Sequence, residues 1–272
     1  MRVVLISEVA PAVEGLAAIL RAEGHDLSAL LCVRHDPERY TGLDELVRAA
    51  PPEADVVMPA SRDRIAPLLR HFDPDLALCL GFPWKIPAEA LSVPRFGIVN
   101  GHPSLLPRFR GPSPVSWAIR HGESEIGFTF HYMDAELDTG NILGQTSVPL
   151  GDEHGWDELT PKLAAAVGSL LPRVLERVER GDAGDPQHEG EASYFQLFES
   201  EYAWIDTSQS ADEVARQVRA WRFHSSVPGD RGALIELDGE TVRVLRVSRD
   251  EADGRALQCA DGTLWIVEKE AA

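Results

Sequence analysis

RVVLISEVAPAVEGLAAILRAEGHDLSALLCV, residues 2–33, reads as strand, helix, strand. Arg2 to Ser7 is a near-continuous apolar run, the pattern of a strand buried on both faces. Between Ala12 and Glu23, Val13, Leu16, Ile19 and Leu20 recur at helical spacing, and Gly24 supplies a stop. Asp26 to Val33 is apolar again. Outward from this unit the alternation continues with a short helix around Leu43 to Ala49, a strand at Asp55 to Met58, a helix at Arg62 to His71 and a strand at Asp75 to Leu80. Repeated βαβ units need a sheet covered on both faces, so the expected class is α/β with a doubly wound, mostly parallel sheet. Further strands are expected from residue 97, at Ile126 to Tyr132 and at Ile142 to Val148, with helices at Pro114 to His121 and Trp156 to Gly181.

The middle of the chain, FGIVNGHPSLLPRFRGPSPVSWAIRHGESEIGFTFHYMDAELDTGNIL from Phe96 to Leu143, crowds polar groups into an apolar frame. Asn100 and His102 stand at i and i+2 on a strand, hence on one face. Pro103, Pro107, Gly111, Pro112 and Pro114 then preclude a regular element. The pair therefore sits where a buried strand emerges into a loop, which is where open α/β sheets place ligand crevices. A second loop, Met133 to Gly140, offers the carboxylates of Asp134, Glu136 and Asp138. An Asn amide can donate to a developing oxyanion, a His can shuttle a proton near neutral pH, and a carboxylate can orient that His. These types suit attack of an amine on a carbonyl through a tetrahedral intermediate. They equally suit a histidine that caps a turn beside a solvated acidic loop. Trp117 reads as core, and His131, alternating within a strand, as a satisfied polar neighbour.

Other chemistries are disfavoured. The first strand-to-helix turn lacks G-x-G-x-x-G, and neither a G-x-x-x-x-G-K-[ST] loop nor a G-x-S-x-G elbow occurs. The formal net charge of −18, with Lys85, Lys162 and Lys269 the sole lysines, argues against a polyanionic partner. Cys32, Cys79 and Cys259 stand far apart, two of them in apolar runs, which fits buried thiols in a reducing compartment and offers no metal knuckle. No apolar run approaches the ~20 residues that span a bilayer. A cytoplasmic enzyme without a metal or membrane association is expected.

Gly181 to Gly190 has turn residues and no periodicity. Beyond it come a helix at Asp212 to Trp221, with Ser210 or Ala211 near its start, and short alternating strands at Ala233 to Leu237, Thr241 to Val247, Arg255 to Cys259 and Thr263 to Glu268. Asp238-Gly239 and Asp261-Gly262 are hairpin signals. The expected division is a catalytic domain over 1–181, a linker over 182–191 and a small C-terminal, mainly β, barrel-like domain over 192–272.

Asn100-Gly101-His102-Pro103-Ser104-Leu105-Leu106-Pro107, then Arg110-Gly111, then Leu137-Asp138-Thr139-Gly140 resemble the N-x-H-P-S-L-L-P … R-G … L-D-x-G pattern of folate-dependent formyltransferases. That family includes purine, methionyl-tRNA and sugar N-formyltransferases, and the resemblance spans essentially the whole chain. It implies a Rossmann-like formyltransferase domain and 10-formyltetrahydrofolate as formyl donor. Asn100 would hold the formyl oxygen, His102 would shuttle protons, and Asp138 would orient and charge-stabilise the histidine. The pterin slot falls on Phe82, Trp84, Ile86 and the loop Met133, Asp134, Ala135. Glu8 and Glu14 are candidates for the amine substrate, and Arg108 and Arg110 for a substrate phosphate or the glutamate tail of folate.

The acceptor is expected to be a small amine, either an amino sugar on a nucleotide or an amino-acid or hydroxylamine intermediate of specialised metabolism. The acidic charge, the segment Cys32 to Pro51 without a basic loop, and the run Arg222 to Gly229 in place of a shorter P-W-P-G weigh against methionyl-tRNA, which stays as the alternative. Less favoured are a formyltetrahydrofolate hydrolase and a catalytically silent folate-binding protein. A homodimer is left open.

Overall fold

The computed structural model describes residues 1–33, 42–153, 155–224 and 232–272. The parts of Cys32 to Pro51 and of Arg222 to Gly229 that fall in 34–41 and 225–231 lie outside the described residues. The opening unit folds as its pattern dictates, with β1 at Arg2–Ser7, α1 at Ala10–Ala22 and β2 at Asp26–Leu31. Then follow α2 (Leu43–Ala49), β3 (Asp55–Val57), α3 (Ile65–Phe72), β4 (Leu76–Leu80), α4 (Ala88–Leu91), β5 (Ile98–His102), α5 (Pro114–Arg120), β6 (Glu125–Tyr132), β7 (Ile142–Pro149) and α6 (Trp156–Glu179).

These strands form one seven-stranded sheet in the order β3-β2-β1-β4-β5-β6-β7. From β3 through β5 neighbouring strands run parallel, and β6 is antiparallel to β5. Val3 to Ile6, Leu30, Leu31, Leu76 and Ala77 have at most a trace of exposure, as central parallel strands covered on both faces require. The chain leaves β1 for β2 on one side and returns to β4 on the other, so the switch point lies between β1 and β4. There Ser7 and Leu80 are register partners, and the turns that follow approach closely. Gly81 has φ +61°, and a Cβ on it would stand 2.6 Å from Val9 Cγ2, so this crossing demands glycine.

The C-terminal part contains α7 (Ala211–Phe223), β8 (Ala233–Leu237), β9 (Glu240–Ser248), β10 (Arg255–Gln258) and β11 (Thr263–Ala271). The strands make an antiparallel sheet in the order β10-β11-β9-β8, with register shifts along β11. Asp238 and Gly239 both take positive φ between β8 and β9, the two-residue turn that Asp-Gly favours. Ser210 caps α7 and Glu213 closes a reciprocal capping box. Ala211 and Val214 of that helix pack with Leu257, Cys259 and Leu264 of the sheet.

Two compact units are built from interleaved stretches. One comprises residues 1–110, 127–148 and 162–193, and the other residues 111–126, 149–161 and 194–272. Within the second, Trp117 is buried, stacks on Phe195 at 4.4 Å and donates from its indole to Gln196 O at 2.7 Å, a core role.

Candidate active site

β5 delivers Asn100 and His102 to the end of the parallel layer, and β6 runs back beside it with Asn100 opposite His131 and His102 opposite Thr129. Asn100 Nδ2 lies 3.1 Å from His131 Nε2, and His131 Nδ1 lies 2.8 Å from Tyr132 O. A carbonyl only accepts, so Nδ1 carries the hydrogen and Nε2 accepts from the Asn100 amide. Burial pushes His131 down to about 4, against the opposing pull of Asp138. The ring is therefore neutral near pH 7 and orients the amide. An NH2 group has two hydrogens, and His131 takes one of them.

His102 is 5% exposed. Its Nε2 is 2.9 Å from Phe109 O and must donate there, which leaves Nδ1 as the basic nitrogen of the neutral ring. That atom stands 3.8 Å from Asp138 Oδ1, and Asp138 Oδ1 stands 3.6 Å from His131 Nε2. The distance is beyond a hydrogen bond, as expected of a lone pair facing a carboxylate, and the pair becomes attractive once the ring is protonated. Phe109 has φ +57° and is braced by its N–H to Ser193 Oγ at 2.9 Å. Ser104 Oγ donates to Arg108 O, and Thr129 Oγ1 donates to Ser104 O. The loop that presents the Phe109 carbonyl is thus fixed from three sides.

Asp138 also has positive φ, at +58°. Asp134 Oδ1 shapes its loop by accepting from Thr139 Oγ1 at 2.7 Å and Glu136 N at 3.1 Å. Beneath Asn100, its β4 partner Cys79 is buried, and desolvation together with Asp138 pushes its thiol up to about 12.

The structure brings Phe82, Trp84, Ile86 and Met133 together on one apolar cluster, with Ile86 buried and the other three partly so. Phe82 and Trp84 meet edge to face at 5.8 Å. Aromatic and aliphatic side chains of this kind are the type that pack against flat ring systems. Asp134 and Ala135 are exposed, and Met133 N donates to Ile98 O at 2.8 Å. Among the described residues no three His, Cys, Asp or Glu side chains are grouped as for a metal ion.

The remaining candidates are dispersed. Glu8 accepts from Val33 N, while exposed Glu14 lines a different cavity between α1 and α2 with Arg21, Glu45 and Arg48. Arg108 is exposed, with its guanidinium over the Phe109 ring at 5.1 Å. Arg110 is buried instead of presented to solvent, and its guanidinium is engaged by Gln187 and Glu189. Gln187 Nε2 in turn donates to the carbonyls of Asp138 and Gly140. Sequence reasoning missed Gln187 because it lies in a stretch whose turn-rich composition reads as a linker.

Residues 1–175 match the formyl transferase family model. The methionyl-tRNA formyltransferase of Citrifermentans bemidjiense is 34% identical over 213 residues, covering 74% of this chain. The match takes in 65% of that relative's length, a little under two thirds. Among solved structures, HypX from Aquifex aeolicus in complex with tetrahydrofolic acid superposes with a TM-score of 0.72 at 21% identity, covering 99% of this chain and 44% of that one. WlaRD, a sugar 3N-formyl transferase solved in the presence of dTDP and 5-N-formyl-THF, superposes with a TM-score of 0.68 at 19% identity, covering 99% and 97%.

Proposed function

The chain belongs to the formyl transferase family, and on that premise we propose that it transfers the formyl group of 10-formyltetrahydrofolate to the amine of a small acceptor. The observation that carries this reading is the His102 ring, tied at Nε2 to the Phe109 carbonyl and turned at Nδ1 toward Asp138, with the Asn100 amide beside it. Phe82, Trp84, Ile86 and Met133 offer the apolar wall for the pterin ring, and backbone groups of Met133, Asp134 and Ala135 its polar edge. Asn100 keeps an N–H for the formyl oxygen, where negative charge grows as the acceptor nitrogen bonds to the formyl carbon. His102 accepts at Nδ1 the proton that this nitrogen loses, and Asp138 stabilises the imidazolium. The same ring returns the proton to N10 of the folate as the old carbon–nitrogen bond breaks. Donor and acceptor thus exchange a formyl group for a proton, and the histidine ends as it began.

Two observations support a small acceptor. The net charge is −18. In the C-terminal sheet, Arg243 is paired with Glu270 and Arg246 with Glu268, each at 3.7 Å, and Arg249 is paired with Asp212. Arginines already matched to carboxylates make a poor track for phosphates. The second reading, a methionyl-tRNA acceptor, is favoured by what the sequence relatives are named for. Formyl transfer is to be measured with amino-sugar nucleotides, N-hydroxyornithine and charged initiator tRNA in parallel. Turnover with the tRNA alone would replace the small-amine reading. His102→Ala and Asp138→Ala are each expected to lower the rate by about 10²–10⁴-fold with little change in Tm. Wild-type rates in either variant would sink the catalytic assignment.

A further inference from the structure

We propose that Gln187 is a positioning residue whose side-chain amide, itself oriented by Arg110, holds the loop that sets Asp138 against His102. Only the kinetic consequence rests on the formyl-transfer reading above.

Gln187 Nε2 donates to Asp138 O at 2.9 Å and to Gly140 O at 2.8 Å, so both hydrogens of one amide grip the loop on either side of Thr139. Its Oε1 accepts from Arg110 Nε at 3.1 Å and from Arg110 Nη2 at 2.7 Å. A guanidinium has only donors and a carbonyl only accepts, so the amide has one workable orientation, oxygen to Arg110 and nitrogen to the loop. Arg110 is 6% exposed and is anchored in turn by Glu189, at 3.2 Å from Nη1 and 2.7 Å from Nη2. Its backbone N–H donates to Ser193 O, the residue whose hydroxyl also braces Phe109. Both partners of the His102 ring, the Phe109 carbonyl and the Asp138 carboxylate, are therefore secured by the same return stretch, residues 187–193.

Gln187 adds a tie at the Asp138 end of a loop whose β6 end is tied to the sheet by Met133 N donating to Ile98 O at 2.8 Å. Asp134 closes the loop on itself, and Asp138 sits in the left-handed region, which aspartate tolerates better than most non-glycine residues. His102 Nδ1 and Asp138 Oδ1 are 3.8 Å apart, a separation sensitive to small shifts of the loop. Displacement by about 1 Å at such a site is enough to lower a rate roughly 10²-fold.

Gln187→Glu tests this directly. The variant keeps the length and gains a charge for Arg110, so the fold is retained, but it puts an oxygen where Nε2 faced two carbonyl oxygens. The expected result is a kcat about 10²-fold lower with KM for the formyl donor within about twofold and Tm not reduced. In an Asp138→Asn background the same change should add no further loss, because the two residues act as one unit. A crystal structure of Q187E should show the Asp138 carboxylate drawn away from His102. Wild-type kcat in Q187E, an additive loss in the double variant, or an unmoved Asp138 would each overturn the proposal. If His102→Ala proves as active as the parent protein, it is the formyl-transfer reading that fails, and the position of Asp138 in Q187E still decides the role of Gln187.

Discussion

At the scale of the residue, His131 shows how a side chain without a reacting atom can set the chemistry of its neighbours. It is 1% exposed, and its lone pair fixes which end of the Asn100 amide carries hydrogens toward it. Its folded value of about 4 lies below the ordinary 6.5. Desolvation is the main cause and the nearby His102 adds to it, while Asp138, the Tyr132 carbonyl and Asp134 act the other way. An unfolded chain takes up a proton at this histidine below about pH 6.5 and the native one does not, so the stabilisation is complete above that pH and is lost as pH falls toward about 4. Unfolding free energy in urea should therefore drop between about pH 7 and about pH 5, and drop less in His131→Asn. Equal slopes in the two proteins would mean that His131 is not held neutral.

At the scale of the element, the loop between β6 and β7 is shaped by backbone proximity as much as by side chains. A Cβ on Gly140 would lie 1.9 Å from Tyr132 O, and neither atom can yield without moving a strand end. Gly140→Ala should cost about 1–3 kcal/mol by thermal or urea unfolding, with loss of formyl transfer beyond what that destabilisation explains. Unchanged Tm and activity would show that the strand end gives way freely. This glycine, like the strands, was legible in the sequence. Buried parallel strands announce themselves as apolar runs, and Asn100 and His102 share a face by period alone. Gly140 and Asp138 stand in a motif with a family resemblance. Gln187 was not legible, because its bonds span 49 and 47 residues of sequence to reach Asp138 and Gly140. Periodicity reports only near neighbours, and turn-rich composition conceals an irregular return stretch that is fixed by hydrogen bonds. Arg110 was legible as a charge and read as a candidate for an anionic ligand, and its burial was not legible, since that depends on Gln187 and Glu189 coming back to meet it.

For the molecule as a whole, charge is the property that separates the candidate acceptors. A net charge of −18 with paired arginines implies that kcat/KM for a small amine changes little between about 50 and about 200 mM salt, whereas a tRNA acceptor held by phosphate contacts would lose roughly 10³-fold or more. A steep salt dependence measured by initial rates would count against the small-amine reading whatever the acceptor panel returns. No helix among the described residues is long and apolar enough to cross a membrane. Cys79, at the middle of the sheet between Ile6 and Asn100, carries one more consequence. Its thiol is buried and stays protonated to about pH 12, and only the thiolate reacts with disulfide reagents. The native chain should therefore react slowly with such reagents at this position, and labelling there reports local opening around β4. Cys79 is in that sense a built-in clock, whose ticks count the openings of the sheet beside Asn100.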